Sequence, residues 1–225
     1  MKISVIIPTL NEALTLEESL TAVSRLNPHE IIVADGGSTD LTLPIAGRIA
    51  TRVVKGETGR ARQMNAGAKE ATGDLLLFMH ADSRLSPKSF DRMTEKMLPG
   101  EPSGGAFGLT IESEKMSLKL ISTLATWRSK YLNLVYGDQA IFVRADIFRE
   151  LGGFSPLPIC EDLEFFRRLS RHGKVILLEE KAHTSARRWM AEGVLFTAFR
   201  NITIATLFLL GFPPRILSKW YLMVR

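Results

Sequence analysis

Three short polar clusters follow directly on apolar runs, and they hold the residues best suited to chemistry. Pro8-Thr9-Leu10-Asn11-Glu12 follows the run 3–7, Asp35-Gly36-Gly37-Ser38-Thr39-Asp40 follows 30–34, and His80-Ala81-Asp82 follows 74–79. Asp35 leaves a buried strand where its carboxylate can accept hydrogen bonds from a base N–H or a ribose hydroxyl. The glycines after it allow close backbone approach. The plainer alternative is a helix N-cap within Ser38 to Asp40. Asp82 is a hard oxygen ligand suited to magnesium or manganese on a diphosphate, or else a turn aspartate. His80 taken alone is more often a satisfied core histidine than a ligand.

Further along, Gly59-Arg60-Ala61-Arg62-Gln63-Met64-Asn65 opens a helix. Its arginines would add charge to backbone N–H groups that already favour phosphate, or would form a solvated basic face. Tyr136-Gly137-Asp138-Gln139 precedes a strand, and Cys160-Glu161-Asp162 precedes a helix. Adjacent carboxylates can supply a general base, or simply complement a helix dipole. Ser185-Ala186-Arg187-Arg188-Trp189 puts a guanidinium beside an indole, useful for phosphate or sugar or no more than a stacked surface pair.

The elements that must position these residues alternate in type. Short apolar runs at 3–7, 30–34, 52–54, 74–79, 106–111, 140–143 and 174–178 are separated by amphipathic stretches. That pattern predicts a mixed, mainly parallel sheet covered by helices, its strands buried on both faces. Ligands of such a sheet bind beyond the carboxyl ends of the strands, where the three polar clusters converge. Thr15 and Glu18 read as a capping box for a helix with Leu16, Leu20 and Val23 on one face. Ser86-Pro87 reads as an N-cap and first helical residue, of a helix expected to cover the fourth strand.

Composition narrows the class. The 225 residues, 45% hydrophobic and 24% charged, can bury a core and suit one larger domain. A single cysteine, Cys160, excludes a disulfide framework or a cysteine zinc site within one chain. The net charge of +5 suits phosphorylated ligands or an anionic membrane surface, but no basic run interleaved with aromatics supports nucleic-acid binding. The apolar start is too short for a signal-peptide core, so the cytoplasm is the default expectation. From about residue 189 the pattern changes. The stretch 194–212 is rich in Leu, Phe, Ile and Ala but is interrupted by Arg200 and Asn201, and its uninterrupted part, 202–212, falls well short of the roughly 20 residues that span a bilayer. It reads as a helical pair packed on the domain or on a second subunit. The sharper alternative is an interfacial helix, with Arg215, Lys219, Trp220, Tyr221 and Arg225 at the membrane surface.

With these residues in view, the chain resembles a family-two inverting glycosyltransferase of the GT-A fold. The resemblance rests on Val5-Ile6-Ile7-Pro8-Thr9-Leu10-Asn11-Glu12, the Asp35 to Asp40 run, His80-Ala81-Asp82 in the place of an Asp-x-Asp metal motif, and Gly152-Gly153-Phe154 followed by Glu161-Asp162. It runs from residue 3 to about 190 with the motifs in family order. Within the family the chain is similar to a compact bacterial subgroup with Gly-Arg-Ala-x-Gln-Met-Asn, His-Ala-Asp and Ser-x-Arg-Arg-Trp motifs. Histidine in place of the first aspartate leaves Asp82 as the main metal ligand. Ser185 stands where processive polymer synthases carry glutamine.

The resemblance implies a glycosyltransferase domain over 1–188 and a C-terminal helical extension over 189–225. It implies a nucleotide-sugar donor, a UDP-sugar by family habit, bound by Pro8, Thr9, Leu10, Glu12, Asp35, Gly36, Ser38, Arg60, Arg62, Asn65, His80, Ala81 and Asp82. A divalent metal, manganese or magnesium, would sit on Asp82. Asp162, beside Glu161, would take the acceptor proton. Gly137, Asp138, Gln139, Arg188 and Trp189 would meet the donor sugar and a small-molecule or lipid acceptor. The implied setting is the cytoplasm, up to the inner face of the cell membrane, with a homodimer admissible. Two enzyme rivals lack their motifs: a sugar nucleotidylyltransferase needs a glycine-rich loop after the first strand, and a dinucleotide-dependent dehydrogenase needs Gly-x-Gly-x-x-Gly. The rival of a different class is a non-catalytic nucleotide-sugar binding or regulatory protein.

Overall fold

The computed structural model of the protein describes residues 1–98 and 100–222. In chain order the elements are β1 (Ile3–Thr9), α1 (Ala13–Ser24), β2 (Glu30–Asp35), α2 (Thr42–Ile49), β3 (Arg52–Lys55), α3 (Arg60–Glu70) and β4 (Leu75–Phe78). They continue with β5 (Ser83–Leu85), α4 (Pro87–Met97), β6 (Gly104–Glu112), α5 (Met116–Leu132), a 3-10 turn (Gly137–Gln139), β7 (Ile141–Arg144) and α6 (Ala145–Glu150). The chain closes with α7 (Glu161–His172), β8 (Val175–Ser185), α8 (Arg187–Glu192), α9 (Val194–Leu209) and α10 (Pro214–Leu222).

The strands form one sheet in the order β3-β2-β1-β4-β7-β6-β8-β5. The first four are mutually parallel; β7 runs against β4 and β6, β8 is parallel to β6, and β5 runs against β8. The period-2 alternation of a strand divides the core between its two faces. Ile3, Val5, Ile7, Ile31, Val33, Leu75 and Leu77 face one layer with Leu16, Leu20 and Val23 of α1. Ile6, Ile32, Leu76 and Phe78 face the other, with Met64 of α3 and Phe165 and Phe166 of α7. Both layers are buried, which is why these strands read as continuous apolar runs.

All seven sequence-predicted strands form, and β5 is an eighth that the pattern did not reveal. Its three residues carry no apolar run and pair only because β8 extends to Ser185 beside them, with Ser83 opposite Thr184. β3 departs from the expected two-sided burial, since Arg52 and Lys55 at its ends are exposed on an edge strand. Ser86 caps α4 as expected, its hydroxyl accepting from Ser89 N–H with Pro87 in the first turn. The helix lies against β8 rather than covering β4, because β5 first carries the chain to the far edge of the sheet. The Thr15–Glu18 capping box is not made. α1 starts earlier, at Ala13, because other parts of the fold satisfy its first donors: Thr42 Oγ1 accepts from Glu12 N–H (2.8 Å) and Asp40 Oδ2 from Ala13 N–H (3.2 Å).

Candidate functional site

The loops after β1 and β2 are tied together by their own side chains. Asp35 is buried, and its Oδ1 accepts from the N–H groups of Gly37 and Ser38, both at 2.9 Å. Its Oδ2 accepts from the hydroxyls of Ser38 and Thr9. Burial pushes the Asp35 carboxyl up, but hydrogen bonds from Ser38, Gly37 and Thr9 outweigh it and hold the group below the usual carboxylate range. All four acceptor positions are thus taken, so Asp35 organises the loop, with Thr9 and Ser38 as its partners. A ribose hydroxyl would have to replace one of these donors. Asn11 completes the tie: its N–H donates to Ser38 Oγ and its Oδ1 accepts from Thr39 N–H, both at 2.9 Å. Pro8 lies buried in β1, and Leu10 is exposed on the rim of the loop.

α3 is fastened to the same edge by Gln63, buried in its first turns. Its Nε2 donates to Thr9 O (2.6 Å) and Ala34 O (3.1 Å), the carbonyls at the ends of β1 and β2. Gly36 is required here, because a Cβ would stand 2.9 Å from the Gln63 side chain. Arg60 then reaches Glu161 across the cleft at 3.4 Å, whereas Arg62 turns out to an exposed pair with Glu57. Asn65 does not face the cleft. Its amide clamps both the N–H and the carbonyl of Phe154, so it fixes the Gly152-Gly153-Phe154 turn. Both glycines of that turn have positive φ, a conformation side chains resist.

That turn matters because it sets the start of α7. Phe154 packs edge-on against Phe78 at the end of β4 (4.9 Å between centroids) and against Phe165 of α7 (4.5 Å). The aromatic cluster therefore joins the His80-Ala81-Asp82 segment to the helix that carries Glu161 and Asp162. Glu161 is buried. Asp162 accepts from Gly137 N–H through Oδ2 and from Leu163 N–H (2.7 Å) through Oδ1. His80 Nε2 lies against Gly137, where a Cβ would come within 2.7 Å of it and 3.2 Å of Asp162 Oδ2. Three of the five non-glycine residues with positive φ among those described flank this site, namely Asn11, Ala140 and Cys160. Strain of this kind collects at functional sites.

Asp82 and Asp138 are the electrostatically unsettled groups. Burial, and then the nearby Glu12, raise the Asp82 carboxyl, opposed by Arg187 and Arg188. Burial pushes Asp138 up to about 6, aided by Asp162 and Asp82 and opposed by Arg128. Asp138 Oδ1 is buried without a hydrogen-bond partner among the described residues. Such an acceptor, close to a second carboxylate, suits a ligand or cation that brings positive charge or donors. Among the described residues no group of three His, Cys, Asp or Glu side chains is arranged to hold a metal. The donor set therefore fits a cation shared with ligand oxygens, and fits a metal held by protein alone poorly.

Gln139 is not available to a sugar. It is fully buried, its Nε2 donating to Phe107 O and Ser129 Oγ (2.9 Å each) and its Oε1 accepting from Arg128 (3.2 Å). Trp189 also turns away, packing against the cluster of Leu109, Ile111, Leu118 and Ala125 between β6 and α5. The indole is thus not Arg188's partner. Arg188 instead donates to the hydroxyl of Tyr221 in α10, with its guanidinium 5.6 Å from that ring.

The pairing of β5 with β8 brings the Ser185-Ala186-Arg187-Arg188 segment onto the His80-Ala81-Asp82 turn, where Ser185 N–H donates to Asp82 O at 3.3 Å. Arg187 closes on Glu12 at 3.1 Å, so Glu12 is engaged by an arginine rather than free for a nucleoside. Sequence reading gave Gln63 and Arg187 no role and placed Tyr221 only at a membrane surface. Yet Tyr221 meets both Arg188 and Arg60. Gln63 carries one signal, its place in the Gly-Arg-Ala-x-Gln-Met-Asn motif; Tyr221 carries none, because its neighbours are distant in the chain.

Known proteins resemble the chain in sequence and in fold. Residues 4–146 match the profile "Glycosyl transferase family 2". The chain is 32% identical over 170 residues to the PGL/p-HBAD biosynthesis glycosyltransferase of Mycobacterium tuberculosis, covering 68% of this chain and 62% of that protein. It is 36% identical over 110 residues to the dolichol-phosphate mannosyltransferase of Pyrococcus furiosus, or 44% of this chain and 31% of that one. The chain thus spans less than two thirds of these relatives' length. Among solved structures, S. aureus TarS 1-349 in complex with UDP-GlcNAc superposes with a TM-score of 0.65 at 19% identity, over 82% of this chain and 58% of that one. Mannosyltransferase PcManGT from Pyrobaculum calidifontis, in complex with GDP-Man and Mn2+, gives 0.66 at 22% identity, over 81% and 56%. At such identities the likeness is one of fold, the open GT-A type of sheet. The profile match, which runs from β1 through β7 and takes in the loops after β1, β2 and β4, shows that the chain belongs to glycosyl transferase family 2.

Proposed function

We propose that the protein transfers a sugar from a nucleoside-diphosphate donor to an acceptor hydroxyl with inversion at the anomeric carbon. The observation that carries this reading is the meeting of Asp82, Asp138 and Asp162 with Arg60 and Arg188 at the carboxyl edge of the sheet. The nucleoside would lie along the tied loops after β1 and β2, with a uridine donor as the first expectation. Arg60 and Arg188 would hold the diphosphate, Arg188 leaving Tyr221 to do so. Arg62, directed at Glu57, would serve only after a rotamer change.

Asp162 would act as general base, its carboxylate held by the Gly137 and Leu163 N–H groups. As the acceptor oxygen bonds to the anomeric carbon, the bond from that carbon to the diphosphate oxygen breaks. The hydroxyl proton passes to Asp162, and the leaving diphosphate keeps the electron pair. Glu161 holds Arg60 in place rather than touching the acceptor. A divalent cation, manganese or magnesium, would be held by Asp82 with Asp138 beside it. When bound it supplies Lewis-acid stabilisation of the leaving group. The acceptor hydroxyl belongs to a small molecule or a lipid. A purely nucleotide-sugar binding or regulatory role is the alternative.

Calorimetric titration with UDP, GDP and ADP, each with and without manganese, tests the donor site. Binding of one nucleotide that requires manganese and is lost in Asp82→Ala is the expected result. A folded protein that binds none of them would overturn it. Binding of a nucleotide-sugar with no turnover over a broad set of acceptors would favour the regulatory alternative.

A further inference from the structure

We propose that α5 together with α9 and α10 forms a surface that docks on an anionic lipid bilayer, lying on it without crossing it. α5 exposes Met116, Leu120, Leu124, Trp127 and Tyr131, spaced three or four residues apart and so along one stripe. α9 exposes Leu195 (83%), Phe199 (66%), Ile202 (65%) and Leu209 in the same manner, and α10 adds Ile216 and Trp220. α9 contacts both α5 and α10, so the stripes belong to neighbouring elements. Scattered apolar residues on a surface are ordinary, but two adjoining stripes of this size mark an interaction site.

Charge identifies the occupant. Neither α5 nor any residue from 193 to 225 is an Asp or Glu. Arg200, which interrupts the apolar run in the sequence, turns inward: it is 1% exposed, ion-paired with Glu192 at 2.6 Å and stacked over Tyr221. The outward face of α9 is therefore uncharged. The exposed cations beside it, Arg215 and Lys219, form no ion pair among the described residues, while Lys119 and Lys130 on α5 pair with the exposed Glu114 and Glu179. A second copy docked through a two-fold would set these cations against their own images with no acid on the helices to answer them. An anionic bilayer supplies the opposite charge and takes up the apolar stripes. The exposed, contacting pair Trp127 and Tyr131, and Trp220, are side chains that favour the headgroup level. Among the described residues no helix is long and apolar enough to cross a membrane. Arg225, read in the sequence as part of this surface, lies outside the described residues.

The surface adjoins the candidate site, since Tyr221, one residue past Trp220, is the residue that meets Arg188 and Arg60. Docking itself needs no nucleotide, so its failure and failure of the transfer reading are separate results.

The test is vesicle flotation of the full chain with phosphatidylcholine alone and with phosphatidylcholine mixed with phosphatidylglycerol, at low and high salt. The protein should float with the mixed vesicles, weakly with the neutral ones, and less at high salt. Arg215→Gln with Lys219→Gln should weaken partitioning by about thirtyfold. Leu195→Ser with Phe199→Ser and Ile202→Ser should abolish it, with nucleotide binding and the melting curve unchanged because all three side chains are exposed. Failure to float with either vesicle would overturn the proposal. So would a stable dimer in solution that the triple substitution dissociates.

Discussion

The two ends of the sheet are finished in opposite ways. Around β1 and β2 the polar groups answer one another: Asp35 fills every acceptor position, Asn11 bridges to Ser38 and Thr39, and Gln63 takes the carbonyls of Thr9 and Ala34. Toward β7 and β8 the groups are left wanting. Among the described residues Asp138 keeps a buried oxygen without a partner, Asp82 and Asp138 are both held above the usual carboxylate range, and the flanking helices show apolar faces to solvent. The first region is a finished frame, rigid because its hydrogen bonds are internal. The second is incomplete by itself, and it is there that ligand, cation and membrane are proposed to act. A frame that loses one bond should lose stability; an incomplete site that loses one charge should lose function and gain stability.

The two regions differ most at Asp162. Asp162→Asn should cut kcat by about 100- to 10,000-fold while nucleotide Kd stays unchanged, read by steady-state kinetics beside calorimetry. Asp35→Ala should do the reverse. It strands the N–H groups of Gly37 and Ser38 and two hydroxyls, so denaturant unfolding should show a loss of about 3 kcal/mol, with nucleotide binding falling alongside.

A subtler test uses pH. Asp138 is raised from 3.8 to about 6 in the fold, so it is protonated in both states below 3.8 and carries an unfavourable charge in the fold above about 6. Stability should therefore fall as pH rises across that window, and Asp138→Asn should remove the fall. The variant should be more stable than wild type by about 3 kcal/mol at pH 8, with the difference vanishing below pH 4 in unfolding titrations. The smallest effect belongs to the apolar stripe: Phe199→Ser should shift the unfolding free energy by no more than about 0.5 kcal/mol, because the ring is exposed in the free protein.

Much of the frame could be read from the chain alone. The runs ending at Ile7, Ala34 and Met79 are apolar throughout because both faces of those strands are covered, and the polar clusters after them had to emerge at one edge of a parallel sheet. Asp35, Asp82, Glu161 and Asp162 were placed from that rule and from the family resemblance. The roles within the cluster were less legible. Asn65 and Gln139 carry polar groups of the right kind in the right motifs, yet both are spent on backbone clamps. A side chain's partners depend on what packs opposite, which spacing along the chain does not contain.

Local periodicity and turn chemistry determined the strand set, the buried face of α1, the Ser86 cap and the edge where the polar clusters emerge, since each depends on residues within a few positions. Only the tertiary structure decided that β5 exists, that Asp40 and Thr42 satisfy the start of α1, that Arg200 turns inward, and that Tyr221 stands between Arg60 and Arg188. Each of those is a contact between segments far apart in the chain. Its free energy comes from burial or from satisfying a donor that no neighbour in sequence could reach.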